Sequence, residues 1–320
     1  SIQVNPRRCK CGVTSYYLRM KFIDIKTEGG TIKGKIAFYC SALGVTRQGF
    51  YWYLKHRDAP WKYEGIAEKI REVVAEDECN DTYGRYRMYQ ALKQKYPDDD
   101  IPSERTVYRI MEEIGLSHRP KRKPNGITKA ERNARKSEDL LKRDFTAERP
   151  LEKCGTDITE IPAKDGKLYV SAIFDCYDLV VLGLAMADNM KAELCVSTVK
   201  NACLSFPTIR GAIVHSDRGS QYTSDLYREE LQNCGIIQSM NSDGGRCHDN
   251  ARCEAMWARM KEELLYGRYD TKQMTLEELK TLIWRYYMIY WNTRRICSAN
   301  GGLPPMVKRK QYYDTLGQVA

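Results

Sequence analysis

Residues 151–187 read LEKCGTDITEIPAKDGKLYVSAIFDCYDLVVLGLAMA, and the fold turns on how that stretch divides. Leu151 to Ile161 reads as a strand. Lys164-Asp165-Gly166 is a hairpin turn, because the glycine tolerates the backbone angles a tight reversal needs. Leu168 to Phe174 and Val180 to Met186 are two further β-rich runs. After them the pattern alternates. Lys191 to Leu204 is spaced as a helix, Ile209 to Val214 as a strand, and Asp225 to Cys234 as a helix that Gly235 ends. Ile236 to Met240 is a fifth strand, Ser242 to Asn250 a flexible loop, and Ala251 to Tyr266 a long helix. The order βββαβαβα specifies an α/β domain, a mixed five-stranded sheet with helices packed on it.

Upstream, the chain is helical. Ile36 to Leu43 and Arg47 to His56 form two short helices broken at Gly44-Val45, with Thr46 as N-cap of the second. Arg47, Gln48 and Tyr51 lie near the start of that second helix, where a DNA-reading helix presents its side chains; an ordinary helical hairpin with a solvated face fits the same residues. A second helical unit follows, with helices over Ile66–Ala75, Tyr86–Tyr96 and Ser103–Ile114. In the last, Val107, Ile110, Met111 and Ile114 share one face, leaving Arg105, Tyr108 and Arg109 for phosphate or base contacts or for solvent. From Arg119 to Arg143 there are ten Lys or Arg against three Asp or Glu, and the prolines of Arg119-Pro120-Lys121-Arg122-Lys123-Pro124 make it an extended basic arm that can track a phosphate backbone. The expected divisions are 1–60, 61–118, the linker 119–149, the α/β core 150–270 and a helical extension 271–320.

The bulk numbers agree with that picture. The chain has 320 residues, 42% apolar and 29% charged, with a formal net charge of +10 that favours a polyanionic partner. The longest apolar run, Leu179 to Ala187, is far short of a membrane span, and the opening residues carry no apolar signal core, so no membrane partner is expected. Twelve cysteines occur without a CxxC pair; they read as reduced thiols, and neither Cys9-Lys10-Cys11 nor Cys247-His248 with Cys253 offers four zinc ligands.

The chemistry rests on carboxylates. Asp157 sits in the first strand, Asp217 just past the fourth, and Glu254 near the start of the long helix. Strand ends combine a rigid backbone with an open side chain. Three acids brought there could surround one or two Mg²⁺ ions, which take oxygen ligands and can activate a hydroxyl and stabilise a leaving oxygen in phosphodiester chemistry. Each acid alone has an ordinary alternative: an ion pair, a turn cap for Asp217, a helix-dipole contact for Glu254.

Four motifs go further: Thr156-Asp157-Ile158-Thr159; His215-Ser216-Asp217-Arg218-Gly219-Ser220-Gln221-Tyr222; Cys247-His248-Asp249-Asn250-Ala251 with Glu254; and Tyr290-Trp291-Asn292 with Arg295. On these the chain resembles the second-frame (OrfB) product of the insertion-sequence-three family of bacterial DDE transposases, from about residue 36 to 312. The resemblance implies a ribonuclease-H-like mixed five-stranded sheet with helices on both faces, preceded by all-α helix-turn-helix DNA-binding units. It implies Asp157, Asp217 and Glu254 as catalytic and metal-binding triad, Mg²⁺ or Mn²⁺ as cofactor with two ions per site, and cleavage of element ends followed by strand transfer. It further implies double-stranded DNA as partner (terminal inverted repeats and target), a homo-oligomer on that DNA, either an upstream-frame partner protein or a variant that dispenses with it, and a bacterial cytoplasmic, nucleoid-associated setting. The segments around Tyr83-Gly84-Arg85-Tyr86-Arg87 and Arg105 to Arg109 resemble the family's helix-turn-helix region. The chain departs in having one residue more than usual between Asp217 and Glu254, and Cys154, His248 and Cys297 where the family has Trp, Tyr and His. On the long helix, Trp257, Ala258 and Lys261 share the face of Glu254, so Lys261 is a candidate DNA contact or a surface lysine. The aromatics Trp284, Tyr286, Tyr287 and Tyr290 read as core. A nonspecific metal-dependent nuclease and a non-catalytic DNA-binding regulator are the alternatives.

Overall fold

The computed structural model describes residues 12–58, 61–118, 140–141, 144–241 and 251–319. The chain forms two compact units, Ser1–Gly65 and Ile66–Ala320.

The first unit holds α1 (Gly12–Lys26), α2 (Lys33–Ala42) and α3 (Arg47–His56) around Met20, Ile23, Ile36, Cys40, Phe50 and Tyr53. Gly44 takes φ +64°, which turns the chain between α2 and α3, and the Thr46 hydroxyl accepts from the Gly49 N–H at 3.0 Å as the cap of α3. The sequence reading missed α1. Its outward face carries Leu18, Phe22 and Ile25 opposite the buried Met20 and Ile23, so apolar residues run around the helix and blur the period.

The second unit begins with α4 (Glu64–Ala75), α5 (Arg85–Lys95) and α6 (Glu104–Glu113), with Ser103 capping α6 through Thr106 N–H. The helices bury Ile70, Val73, Met88, Leu92, Val107, Ile110 and Met111. This segment is fastened to the chain's C-terminal third by buried polar contacts. Arg87 reaches Glu263 at 2.8 Å, Arg285 pairs with Asp77 at 2.7 Å, and the Tyr83 hydroxyl accepts from Ile296 N–H at 3.1 Å.

Among the described residues the sheet has β1 (Lys153–Ala163), β2 (Gly166–Asp175), β3 (Val181–Ala187), β4 (Ile213–Ser216) and β5 (Ile237–Met240), in the order β3-β2-β1-β4-β5. The hairpin strands β1, β2 and β3 are antiparallel, and β1–β4 and β4–β5 are parallel. This is the ribonuclease-H-like sheet. One face, with Cys154 and Ile173, is covered by α7 (Ala192–Ser205), the short α8 (Ser220–Thr223) and α9 (Asp225–Cys234). α7 lies so close that a Cβ on Gly183 would stand 2.3 Å from Thr198 O. The other face carries α10 (Ala251–Met260), which continues as a π-helical turn over Lys261–Leu265, and the Phe174, Trp257 and Tyr287 rings meet beneath it with centroids 5.3–5.9 Å apart. α11 (Leu276–Trp284), its π-helical continuation to Trp291, and α12 (Pro305–Val319) complete the unit.

Three expectations shift. β4 starts at Ile213 rather than Ile209, because Pro207–Ile209 forms a 3₁₀ turn and Gly211 takes φ +86°. Trp284 is half exposed, whereas Tyr286, Tyr287 and Tyr290 are fully buried. The expected loop Ser242–Asn250 lies outside the described residues. The described cysteines are free thiols, most of them buried. No described helix is long and apolar enough to cross a membrane.

Candidate active site

Strand register places the first two acids. β1 and β4 run parallel with Gly155 opposite His215. Two residues further along each chain stand Asp157 and Asp217, so the carboxylates emerge side by side where β4 ends. The loop that carries Asp217 is clamped. His215 is buried, its ring hydrogen-bonded to Ser239 Oγ at 2.8 Å and Asn241 Oδ1 at 2.7 Å, both at the end of β5. Arg218 Nε donates to Asn241 O at 2.5 Å, and Gly219 N–H donates to Asp217 Oδ1 at 2.9 Å. Ser216 Oγ donates to Asp217 O at 2.9 Å, so each polar position from His215 to Gly219 holds the loop or its carboxylate.

The third acid comes from α10. Gly155 on β1 admits this helix: a Cβ there would stand 2.8 Å from Cys253 Sγ. Glu254 follows Cys253 and is exposed in the first turn of α10. Trp257, one turn on, donates its indole N–H to Asp157 Oδ2 at 3.2 Å.

The electrostatics link the acids through Asp157. Burial pushes Asp157 up to about 7; the negative charge of Asp217, and more weakly that of Glu254, adds to the rise, while the Ile158 N–H and Trp257 oppose it. Burial also raises Asp217, partly offset by the Gly219 N–H. Two other acidic clusters behave differently. Asp175 and Asp178 are bridged by the buried Arg309, with Nε 2.7 Å from Asp178 Oδ2. Glu263 is held down to about 2, since Arg295, Arg87 and Tyr286 outweigh the effect of its burial. Those acids are committed to guanidinium partners inside the fold. Among the described residues, no three His, Cys, Asp or Glu side chains stand close enough to hold a metal ion as a group. The structure therefore brings Asp157 and Asp217 together, with Glu254 on the adjoining helix surface.

Comparison with known proteins decides the family. The integrase core domain family matches residues 147–245, which include Asp157 and Asp217. The chain is 30% identical over 275 residues to the insertion element IS600 uncharacterized 31 kDa protein of Shigella sonnei, covering 86% of this chain and 98% of that one. It is 28% identical over 289 residues to the transposase InsF for insertion sequence IS3A of Escherichia coli (strain K12), covering 89% and 97%. The chain belongs to the insertion-sequence-three family of DDE transposases. It also matches half of a longer relative, the probable transposase for insertion sequence element IS1353 of Shigella flexneri, at 33% identity over 270 residues and 83% of this chain. Among solved structures, the transposase is similar to a simian T-cell lymphotropic virus intasome in complex with a PP2A regulatory subunit (12% identity, 67% of this chain and 66% of that one, TM-score 0.40). It is also similar to the HTLV-2 integrase catalytic core domain in complex with magnesium (14%, 51% and 99%, TM-score 0.37).

The other candidate residues of the transposase are spread across both units. Arg47 and Gln48 are exposed in the first turn of α3, and Tyr51 is half exposed. The sequence reading passed over Trp52 beside them, which is 66% exposed and stacks on His56 with centroids 4.3 Å apart. On α6, Arg105 and Arg109 are exposed and Tyr108 is half buried. Arg119, Lys121, Arg122 and Lys123 lie outside the described residues. Lys261 reaches back to β1, donating to Thr159 Oγ1 at 2.7 Å and Glu160 O at 3.4 Å. Arg85 and Arg87, in the family-like motif, bind Glu104 and Glu263; the motif joins parts of the fold. Sequence reasoning also missed the Trp257 contact, although the spacing from Glu254 to Trp257 had placed both on one helix face.

Proposed function

We propose that the transposase binds the terminal inverted repeats of its element, cleaves the DNA at their ends and joins those ends to target DNA, with Asp157, Asp217 and Glu254 as the catalytic, metal-holding acids. The observation that carries this reading is the pairing of Asp157 with Asp217 at the open end of two parallel strands, where burial and like charge work against ionisation. Such a pair is stabilised by a hard cation, and Mg²⁺ is held by one or two carboxylates together with water and substrate phosphate. Asp157 and Asp217 fit that demand, and Glu254, one residue beyond the close contact at Gly155, is exposed and within charge reach of Asp157. When bound, Mg²⁺ or Mn²⁺, as two ions, would neutralise the acids, polarise the scissile phosphate and activate the attacking water or 3′-hydroxyl.

The chain's own residues supply position. The His215–Ser239–Asn241 contacts fix the Asp217 loop, Gly219 N–H occupies one oxygen of Asp217, and Trp257 occupies one oxygen of Asp157. Arg47, Gln48 and Tyr51 on α3, with Trp52, form the face offered to end DNA. Arg105, Tyr108, Arg109, the basic run Arg119, Lys121, Arg122, Lys123, and Lys261 supply phosphate contacts. The functional division is 1–60 and 61–118 for DNA binding, 119–149 as the basic arm, 150–270 for catalysis and 271–320 as a buttress. Assembly as a homo-oligomer on two ends, aided by an upstream-frame protein, in the bacterial cytoplasm at the nucleoid, completes the reading.

The test is cleavage and joining of labelled DNA carrying the element ends, with Mg²⁺ and with chelator. Wild type joins strands, and Asp157→Asn, Asp217→Asn and Glu254→Gln each bind the ends and join nothing. Cutting without joining or end preference would favour a nuclease; end binding with no cutting, even with the upstream-frame protein, would favour a regulator.

A further inference from the structure

α10 is set against β1 by a regular series of contacts. Cys253 meets Gly155, where a Cβ would stand 2.8 Å from Sγ. Trp257 donates to Asp157 at 3.2 Å, and Lys261 donates to Thr159 at 2.7 Å. The helix advances by four residues while the strand advances by two. The rises match: four helical residues span about 6 Å and two strand residues about 6.7 Å. The contacts therefore stay in step over three rungs, which fixes both the axial position and the rotation of the helix. Glu254, next to the first rung, takes its place from that register.

The middle rung differs in kind from its neighbours, because its strand residue is a proposed metal ligand. The Trp257 ring is 4% exposed and lies edge-on to Phe174 and Tyr287. Its apolar body is thus held by the core while its one polar atom points at the carboxylate. A buried indole N–H needs an acceptor, and a carboxylate held by a donor loses rotamer freedom. The ring cannot pivot away without breaking both aromatic contacts.

We infer that Trp257 is a positioning residue for cation binding: its indole N–H holds Asp157 Oδ2, orienting the carboxylate so that Oδ1 is presented to the metal, while the rungs on either side hold α10 in the register that places Glu254. This rests on the metal-binding reading of Asp157. Groups that orient a metal ligand typically change metal affinity by about 10–100-fold when removed. Phenylalanine at 257 keeps an aromatic ring beside Phe174 and Tyr287 and deletes the donor, but it also leaves a cavity where the rest of the indole lay, so stability is measured beside affinity.

The experiment uses the full chain without DNA and Mn²⁺ as probe, with free ion followed by electron paramagnetic resonance. Trp257→Phe is expected to weaken Mn²⁺ binding by about tenfold or more while the protein stays folded in chelator, its unfolding midpoint lowered only by the smaller ring. Tyr287→Phe is the control: it belongs to the same ring cluster, and its hydroxyl donates to Met256 O at 3.4 Å rather than to an acid. It should bind Mn²⁺ as wild type does. In strand joining, Trp257→Phe should raise the Mg²⁺ concentration for half-maximal rate and leave the KM for DNA unchanged. Wild-type Mn²⁺ affinity in Trp257→Phe, or equal weakening in both variants, would overturn the inference. Absence of Mn²⁺ binding by wild type, or binding that survives Asp157→Asn unchanged, would overturn the metal reading itself and this inference with it.

Discussion

Replacing Asp157 by asparagine should abolish strand joining and, in the metal-free protein, raise stability. Asp157 is pushed from 3.8 to about 7 by burial first, then by the charges of Asp217 and Glu254. A raised carboxyl pKa means that the folded state favours the protonated form. Below about pH 4, folded and unfolded chains both hold that proton and nothing is lost. As pH rises through about 7 the folded site must ionise, and that contribution to stability disappears. The interval of about three pKa units corresponds to about 4 kcal/mol, at about 1.4 kcal/mol per unit. Asp157 is only partly buried, and water at the site lowers the effective repulsion, so about 2 kcal/mol is the working figure. Asparagine removes the charge and still accepts from Trp257. In chelator at pH 8 the variant should therefore unfold about 4–8 °C above wild type. At about pH 3.5, below the free-carboxyl value of 3.8, the gain should nearly vanish, and at pH 8 Mg²⁺ should restore wild type while leaving the variant unmoved. Thermal unfolding by circular dichroism at both pH values measures this. A variant no more stable at pH 8, or equally shifted at about pH 3.5, would refute the idea that Asp157 is a repelled charge awaiting a cation.

Other outcomes follow from the same contacts. Gly155→Ala should lower joining and cost about 1–3 kcal/mol by crowding α10, and adding Cys253→Ala should recover both; joining and urea unfolding of the single and double variants check it. Glu263→Ala leaves Arg87 and Arg295 without their buried carboxylate and should destabilise by about 3–5 kcal/mol in urea unfolding. Because Glu263 is held down to about 2, its contribution in wild type should persist at neutral pH and fade only as pH falls from about 4 toward 2, followed by acid titration of the fold. Arg47→Ala should weaken binding to end DNA and flatten the dependence of log Kd on log salt by about one unit if Arg47 meets a phosphate, measured by fluorescence anisotropy across a salt series.

Much of the core was legible because its signals are local. Lys164-Asp165-Gly166 turns where its residues demand, Gly235 ends α9 at φ +67°, and Thr46 and Ser103 cap the helices they precede. Local pattern fails where packing decides. α1 has apolar residues on both faces, so no stripe marks it. The start of β4 yields to a 3₁₀ turn at Pro207. The roles of Arg87, Arg295 and Arg309 were hidden, since each depends on an acidic partner distant in sequence. Asp157 and Asp217 could be named from their motifs, but their juxtaposition comes from strand register, and the Trp257 hydrogen bond from the fit of α10 on Gly155. Nothing in spacing alone separates those acids from Asp175 and Asp178, which face an arginine instead.

The most direct measurement is anomalous scattering from crystals of the transposase soaked with Mn²⁺ in the presence of end DNA. Density is expected at Asp157 and Asp217, with Glu254 and the scissile phosphate beside it. Density at other carboxylates, or none at Asp157 and Asp217 while the DNA is bound and cut, would contradict that expectation.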